Sequence, residues 1–293
     1  MPLHLDSIIS EKQDEVLKWL LQERAPNCED IFADTTKRFL HFSEPLVDVS
    51  LRKPIGATVF TFKINDEKKT LELLDADIVL KNPSNTKVNF LKRLPQSSEA
   101  NEYYDADTEF GGKFQLETVN RYLLDESPEG KEYAVNLSAF PFQLSVYDTM
   151  KDLNSALGFA NPVKVGQTDM EVDGYGEDFV APGSFINLLS GKPDSDETFS
   201  FVIGTIAEMQ KCSVELAGEL YSFFVAQIRS GMGNLPTLIN PDRYDVSDLA
   251  PGKIVAMFAD IKADFKLTDK YQKRVKIQRK KNRVLEWFKG LLR

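Results

Sequence analysis

The feature that most constrains this chain is the alternation of side chains between residues 199 and 265. Phe201, Ile203 and every second residue as far as Met209 are apolar or small. A period of two places alternate side chains on opposite faces of a strand, so the pattern predicts extended structure with one buried face. A following run, residues 221–228, is apolar on both faces, which favours a strand covered on both sides.

Glycine and proline residues divide this stretch into short strands and turns, as in a small β-barrel. Gly204 interrupts the first run, where glycine often marks a bulge or a sharp bend. Gly218 supplies a turn between the first two strands, and Pro241 ends a later, shorter run. The layout resembles, at the level of fold, an OB-type barrel, and the resemblance implies binding of oligonucleotides, oligosaccharides or protein loops on one face. An ordinary antiparallel sheet or half of a sandwich fits the same pattern.

The N-terminal part predicts helices followed by a hairpin. Apolar residues recur at helical spacing over residues 7–25, and a second, shorter helix is predicted over 29–40. From Gly56 the period changes to two, and two such runs joined by a polar turn at 65–68 predict a hairpin over 56–80. A short helix is predicted over 148–157, with Asp148 as its N-cap and Gly158 ending it.

The predicted fold class is therefore α+β: mainly antiparallel β, with N-terminal helices and a C-terminal OB-like small β-barrel followed by a basic helix. The predicted domains are an α+β domain over residues 1–192, the barrel over 193–268 and the basic amphipathic helix over 269–293. The polar segment 191–197 contains Gly and Pro and is the predicted boundary.

Charge is unevenly distributed along the chain. The formal net charge is −9, yet residues 270–293 hold ten basic side chains and one acidic side chain. The remaining 269 residues therefore carry 26 basic and 44 acidic side chains, a net charge of −18. An acidic body repels polyanions, whereas a basic tail attracts them. The tail is open to three interpretations: a helix packed on the acidic body, a contact for nucleic acid or acidic protein, or an anchor on an anionic membrane surface.

Several reaction types lack the residues that they need. The chain has two histidines, His4 and His41, which leaves no zinc set and little basis for a histidine-assisted nucleophile such as Cys28. Neither a Walker loop nor a dinucleotide-binding glycine motif is present. Residues 1–15 have neither the basic start nor the apolar centre of a signal peptide, and the two cysteines lie far apart, so we expect a cytoplasmic protein.

The sharpest polar cluster lies in residues 169–180. Asp169, Glu171 and Asp173 have the spacing of the first three ligands of a calcium loop, with Gly174 at the sixth place. Val180 stands at the twelfth place, where such a loop needs a bidentate glutamate. A solvated acidic loop is the alternative, and beyond this divalent cation no cofactor is expected.

Aromatic and basic residues supply the candidate partner-binding positions. Aromatic side chains stack on bases and cations contact phosphates, but the aromatic residues among them fit a hydrophobic core equally well. The candidates are Tyr221, Phe223, Arg229, Lys280, Lys281, Arg283 and Trp287.

The sequence therefore favours a non-enzymatic binding or assembly protein whose barrel and basic helix recruit a protein or nucleic-acid partner. Two alternatives stay open: a carboxylate- or metal-dependent hydrolase using the acidic loop, and a peripheral membrane protein attached by the C-terminal helix. The sequence does not determine the oligomeric state.

Overall fold

The computed structural model describes residues 8, 12–24, 31–34, 39–65, 70–82, 85–95, 97, 102–109, 113–121, 124, 126–157, 163–164, 171–172 and 199–265. Within these residues the protein is mostly β. None of the helices in the described ranges is long and apolar enough to cross a membrane.

Two short helices accompany the strands. α1 spans Gln13–Trp19 and continues as a π-helical turn over Leu20–Arg24. α2 spans Met150–Ala156, close to its predicted position, but its N-cap is Thr149, whose hydroxyl oxygen accepts a hydrogen bond from the backbone N–H of Asp152. The Asp152 carboxylate in turn accepts from the backbone N–H of Thr149, which completes a capping box.

The first sheet is a four-stranded antiparallel meander in the order β1-β2-β3-β4. The predicted hairpin over 56–80 is confirmed as its last two strands. The predicted second helix is wrong, because β1 and β2 occupy that region. The four strands are β1 Ile31–Asp34, β2 Phe39–Asp48, β3 Lys53–Asn65 and β4 Thr70–Leu80.

The larger sheet has eight strands that close into two rings. The first ring runs β11-β12-β13-β8-β14 and back to β11, and the second runs β8-β14-β7-β6-β5 and back to β8. The strands are β5 Thr86–Arg93, β6 Glu102–Thr108, β7 Lys113–Thr118, β8 Lys131–Tyr147, β11 Ser200–Leu216, β12 Glu219–Ser230, β13 Gly233–Ile239 and β14 Ile254–Phe265; β9 Val163–Lys164 and β10 Glu171–Val172 form a separate pair.

The two rings share one wall, the long antiparallel pair of β8 and β14. All neighbours in the rings are antiparallel except β13–β8 and β14–β7, which are parallel. Because β8 precedes residue 199, the first ring cannot be built from 199–265 alone.

The predicted fold class is therefore wrong: the described residues form a mainly β protein with two short helices. The OB-like barrel was expected to be self-contained, whereas β8 supplies one of the five strands of the first ring. The predicted basic helix over 269–293 and the predicted boundary at 191–197 lie outside the described residues.

Two hydrophobic cores hold these layers together. One fills the rings and contains Phe90, Tyr104 and Phe114. The other lies between the meander and the outer face of the first ring, where Phe60 packs in the same cluster as Phe223. Burying side chains of this size stabilises the fold by about 1.5–3 kcal/mol each.

Candidate functional site

The sequence-predicted site residues fall into three groups. Asp169 and Asp173 lie outside the described residues, and Glu171 belongs to β10, where only the backbone is described. The basic and aromatic candidates of the tail also lie outside the described residues: Lys280, Lys281, Arg283 and Trp287.

The third group lies on β12, and the structure gives its members different environments. Phe223 is fully buried in the core under the meander. Tyr221 is half-buried and its hydroxyl donates to Glu219 Oε2 at 3.1 Å, while Arg229 is exposed. The structure therefore does not bring Phe223 and Arg229 together on one accessible face.

A groove opens where the first ring meets the end of the meander. It has a volume of about 610 Å³, within the range of ligand-binding pockets. One wall is β11 around its bulge at Ala207, and the other is the start of β3. Its lining mixes apolar and polar side chains, among them Ile55, Lys81, Met209, Cys212, Val225 and Gln227.

The wall formed by β11 is a strand edge. β11 pairs with β14 only as far as Thr205, whereas its pairing with β12 continues to Leu216. Beyond the bulge, the next hydrogen bonds on the side of β11 that faces away from β12 are those of Ser213. The Ser213 carbonyl accepts a hydrogen bond from the N–H of Val49 at 2.8 Å, and the Ser213 N–H donates to Asp48 Oδ2 at 2.9 Å.

The groups left on this edge follow from the alternation of backbone hydrogen bonds. In an antiparallel pair, successive residues direct their N–H and C=O groups to opposite sides of the strand. Because Ser213 points away from β12, Lys211 and Met209 do so as well, and Cys212 and Gln210 point toward β12. No strand of the described residues pairs with Met209 or Lys211 on that side. We call residues 207–212 with this free side the β11 edge.

The Cys212 thiol at the groove is not an activated nucleophile. The side chain is 1% exposed, and burial raises the pKa of Cys212 to about 11. The reactive form of cysteine is the thiolate, which such a pKa keeps scarce at neutral pH.

A second constellation is a buried ion cluster between the meander and the second ring. Asp75 and Asp77 point from the same face of β4, Glu117 lies on β7, and Lys262 lies beside Glu117 in register on β14. The Lys262 side chain is 0% exposed, with Nζ 2.9 Å from Asp77 Oδ1 and hydrogen-bonded to Glu117 Oε2. Such a cluster joins two sheets through charges that are out of contact with water.

Burial sets the protonation states of the cluster. Burial, together with the negative charge of Asp77 and a hydrogen bond to it, raises the pKa of Asp75 to about 10. Burial also raises the pKa of Glu117 to about 7, against the attraction of Lys262. Burial opposes the charge on Lys262, but the carboxylates of Asp77 and Glu117 outweigh it and raise the pKa of Lys262. At neutral pH Asp75 is therefore a carboxylic acid beside a buried ammonium.

The carboxylate oxygens of Asp75, Asp77 and Glu117 come within 4.8 Å of one another, a spacing that hard cations accept. The Lys262 ammonium already lies among them, in the place where a cation would be held. We therefore describe the constellation as an ion-pair cluster.

No protein-family model, no curated protein and no solved structure matches this chain. The groove and the ion cluster therefore have to be interpreted from their own geometry.

Sequence reasoning missed the ion cluster, although the sequence carries a signal for it. Asp75 and Asp77 are two acids at a spacing of two within the apolar run that becomes β4, and Lys262 is a single cation in the equally apolar run of β14. An ionised side chain that such a run buries must be paired with an opposite charge. The β11 edge has no comparable signal, because it depends on where a distant strand stops pairing.

Proposed function

We propose that this protein is a non-enzymatic binding protein that takes an extended segment of a partner protein onto the β11 edge. The observation that supports it is the set of N–H and C=O groups of Met209, which lines the groove, and of Lys211, which lies two residues further along the same edge; both lack a strand partner in the described residues. An added strand satisfies such groups directly, a recurrent mode of peptide recognition.

The groove adjacent to the edge supports the same function. In strand addition the backbone supplies affinity, and alternate side chains of the peptide supply specificity by entering pockets. Ile55, Met209 and Val225 offer an apolar surface for one such side chain, and Lys81 and Gln227 offer polar partners at its margin. A peptide that alternates apolar and polar residues fits this lining.

Charge favours a protein over a nucleic acid as the partner of this surface. Outside residues 270–293 the chain carries a net charge of −18, which repels a phosphate backbone at long range. The basic stretch 270–293 adds an attraction for acidic partners. If this basic stretch contributes to binding, a chain ending at Leu267 binds an acidic partner peptide more weakly than the full chain does. The difference in affinity between the two chains then shrinks as salt is added.

The test starts from a phage-displayed library of random peptides selected on the full chain. The selected peptides are then measured against Lys211→Pro, which removes the edge N–H but no bond to β12, and against Lys211→Ala, which keeps that N–H. Proline is tolerated where its missing N–H would face away from the ladder. We expect Lys211→Pro to bind at least about tenfold more weakly than Lys211→Ala, equivalent to about 1.4 kcal/mol.

Thermal melts of both variants show whether the fold is retained. Equal affinity of the selected peptides for both folded variants, or a library that yields no binding peptide, contradicts the proposal.

A further inference from the structure

The contact between Lys262 and Asp77 has the geometry of a pair of reactants. Both side chains are 0% exposed, and Lys262 Nζ lies 2.9 Å from Asp77 Oδ1. The carboxyl carbon of Asp77 is one bond beyond that oxygen. An amine and a carboxyl group held this close behave as if each were present at very high concentration.

The surroundings favour a neutral product over separated charges. Taking ions out of water is costly, and a buried pair recovers that cost only when its geometry and further hydrogen bonds are very good. Here one ammonium serves several carboxyl groups, because Asp75 and Glu117 surround the same pair. An amide between Lys262 and Asp77 would remove one positive and one negative charge from this interior.

We propose that Lys262 and Asp77 form an intramolecular isopeptide bond. Nζ of Lys262 attacks Cγ of Asp77, an N–C bond forms, a C–O bond of the Asp77 carboxyl group breaks, and one water molecule leaves. The reaction needs no oxidant, reductant or external group, because an ammonium and a carboxylate together contain the atoms of one amide and one water.

The neighbouring carboxyl groups supply the proton transfers. Glu117, which accepts a hydrogen bond from Nζ, takes one proton from Lys262 and leaves a neutral amine that can attack. Asp75, hydrogen-bonded to Asp77, gives its proton to the Asp77 carboxyl group, which makes its carbon a better electrophile. Such transfers between groups within hydrogen-bond reach are ordinary general acid–base catalysis.

Both groups return to their starting states when the bond is complete. The amine nitrogen gives a second proton to Asp75 after the attack. The proton held by Glu117 goes to the departing hydroxyl group, which leaves as water. Lys262 keeps one hydrogen on the amide nitrogen.

This arrangement assigns the electrophile to Asp77 rather than to Glu117. Asp75 and Asp77 are two residues apart on one face of β4, so the proton donor is fixed beside Asp77. The bond would tie the meander to the wall shared by the two rings, between strands far apart in the chain. Like a disulfide, a cross-link of this span restricts the unfolded chain.

The intact mass of the full chain, purified and incubated at neutral pH, tests the proposal. We expect a mass lower than that of the sequence by one water molecule. Because an acylated lysine is not a trypsin site, digestion should yield residues 70–81 joined to residues 254–266. The proposal is overturned if folded protein has the unmodified mass and trypsin cleaves it after Lys262.

Variants assign the roles within the site. Lys262→Arg and Asp77→Ala should show the unmodified mass. Asp75→Asn and Glu117→Gln keep both reactants, and we expect each to slow the loss of water at least about tenfold, in line with the contribution of general acid–base groups. If both variants lose water at the wild-type rate, or if residues 254–266 are joined to residues 114–121 instead, the proposed mechanism is wrong.

Discussion

At the scale of single residues, the half-buried carboxyl group of Asp264 couples stability to pH. Asp264 lies on β14, where Asn120 Nδ2 donates to its Oδ1 at 2.7 Å. Burial raises the pKa of Asp264 to about 6, above the 3.8 of an exposed aspartate. The folded state therefore binds a proton that the unfolded state has released, so this residue lowers stability as pH rises from about 4 to about 6.

Asp264→Asn should therefore stabilise the protein at pH 8, by on the order of 3 kcal/mol, because asparagine stays neutral while the aspartate must ionise. The gain should shrink toward pH 4, where aspartate is protonated in both states. Urea unfolding at pH 4, 6 and 8 measures it, with the exposed Asp242→Asn as control. The same difference at every pH contradicts this explanation.

Cys212 gives a second prediction at this scale. In a Cys28→Ser background, Cys212 should react with a disulfide reagent at pH 8 far more slowly than free cysteine does, because its thiol is buried and protonated. Addition of urea to the unfolding range should restore the rate. Rapid labelling of the folded protein would mean that the thiol is accessible from the groove.

At the scale of elements, two glycines allow close approach of neighbouring strands. A Cβ at Gly56 would lie 2.3 Å from the Val79 carbonyl oxygen, and one at Gly204 would lie 2.5 Å from that of Arg229. Both obstacles are backbone atoms in paired strands and have little freedom to move. The sequence predicted a bulge or bend at Gly204, whereas the structure keeps Gly204 in register with Ser230 and Val255 and places the bulge of β11 at Ala207.

Gly56→Ala and Gly204→Ala should each lower the free energy of unfolding by about 2–3 kcal/mol, as overpacking does in a close-packed interior. Gly252→Ala is the control: its φ of +90° costs backbone strain, but nothing lies within 4 Å of the added carbon, so the loss should be nearer 1 kcal/mol. Chemical denaturation compares the three. A smaller loss at Gly56 than at Gly252 would show that the strands separate easily there.

The elements that the sequence predicted correctly are those with local signals. The hairpin of β11 and β12 has a strong period of two and a turn at Ala217 and Gly218, both with positive φ. The wrong helix over 29–40 has no such signal. Its apolar residues fit the period of a helix and the period of a strand equally well. Strand pairing decides between them, as where Phe42 pairs with both Ile31 and Phe60.

At the scale of the whole molecule, the shared wall of β8 and β14 couples the two rings. Both rings open if this pair separates, because each ring contains the β8–β14 pairing. The parallel contacts β13–β8 and β14–β7 join segments distant in the sequence, and single-sequence patterns carry no information about such pairings. This explains why the sequence indicated hairpins with local signals, such as β3–β4 and β11–β12, but missed the two rings and the ion cluster.

Because of this shared wall, the described β structure should unfold in one cooperative step. Far-ultraviolet circular dichroism and native-state hydrogen exchange should give the same free energy, with the slowest amides in β8 and β14. Two separate transitions, or a β8 that exchanges faster than β5 and β6, would contradict the coupling.

The β11 edge is the feature on which the proposed function depends, and residue-resolved amide exchange of the free protein tests it most directly. We predict rapid exchange at Met209 and Lys211 and slow exchange at their neighbours Gln210 and Cys212, whose N–H groups are paired with β12. A selected peptide should then slow Met209 and Lys211 alone. If these two amides are already as slow as Gln210 and Cys212 in the free protein, the edge is covered and cannot receive a partner strand.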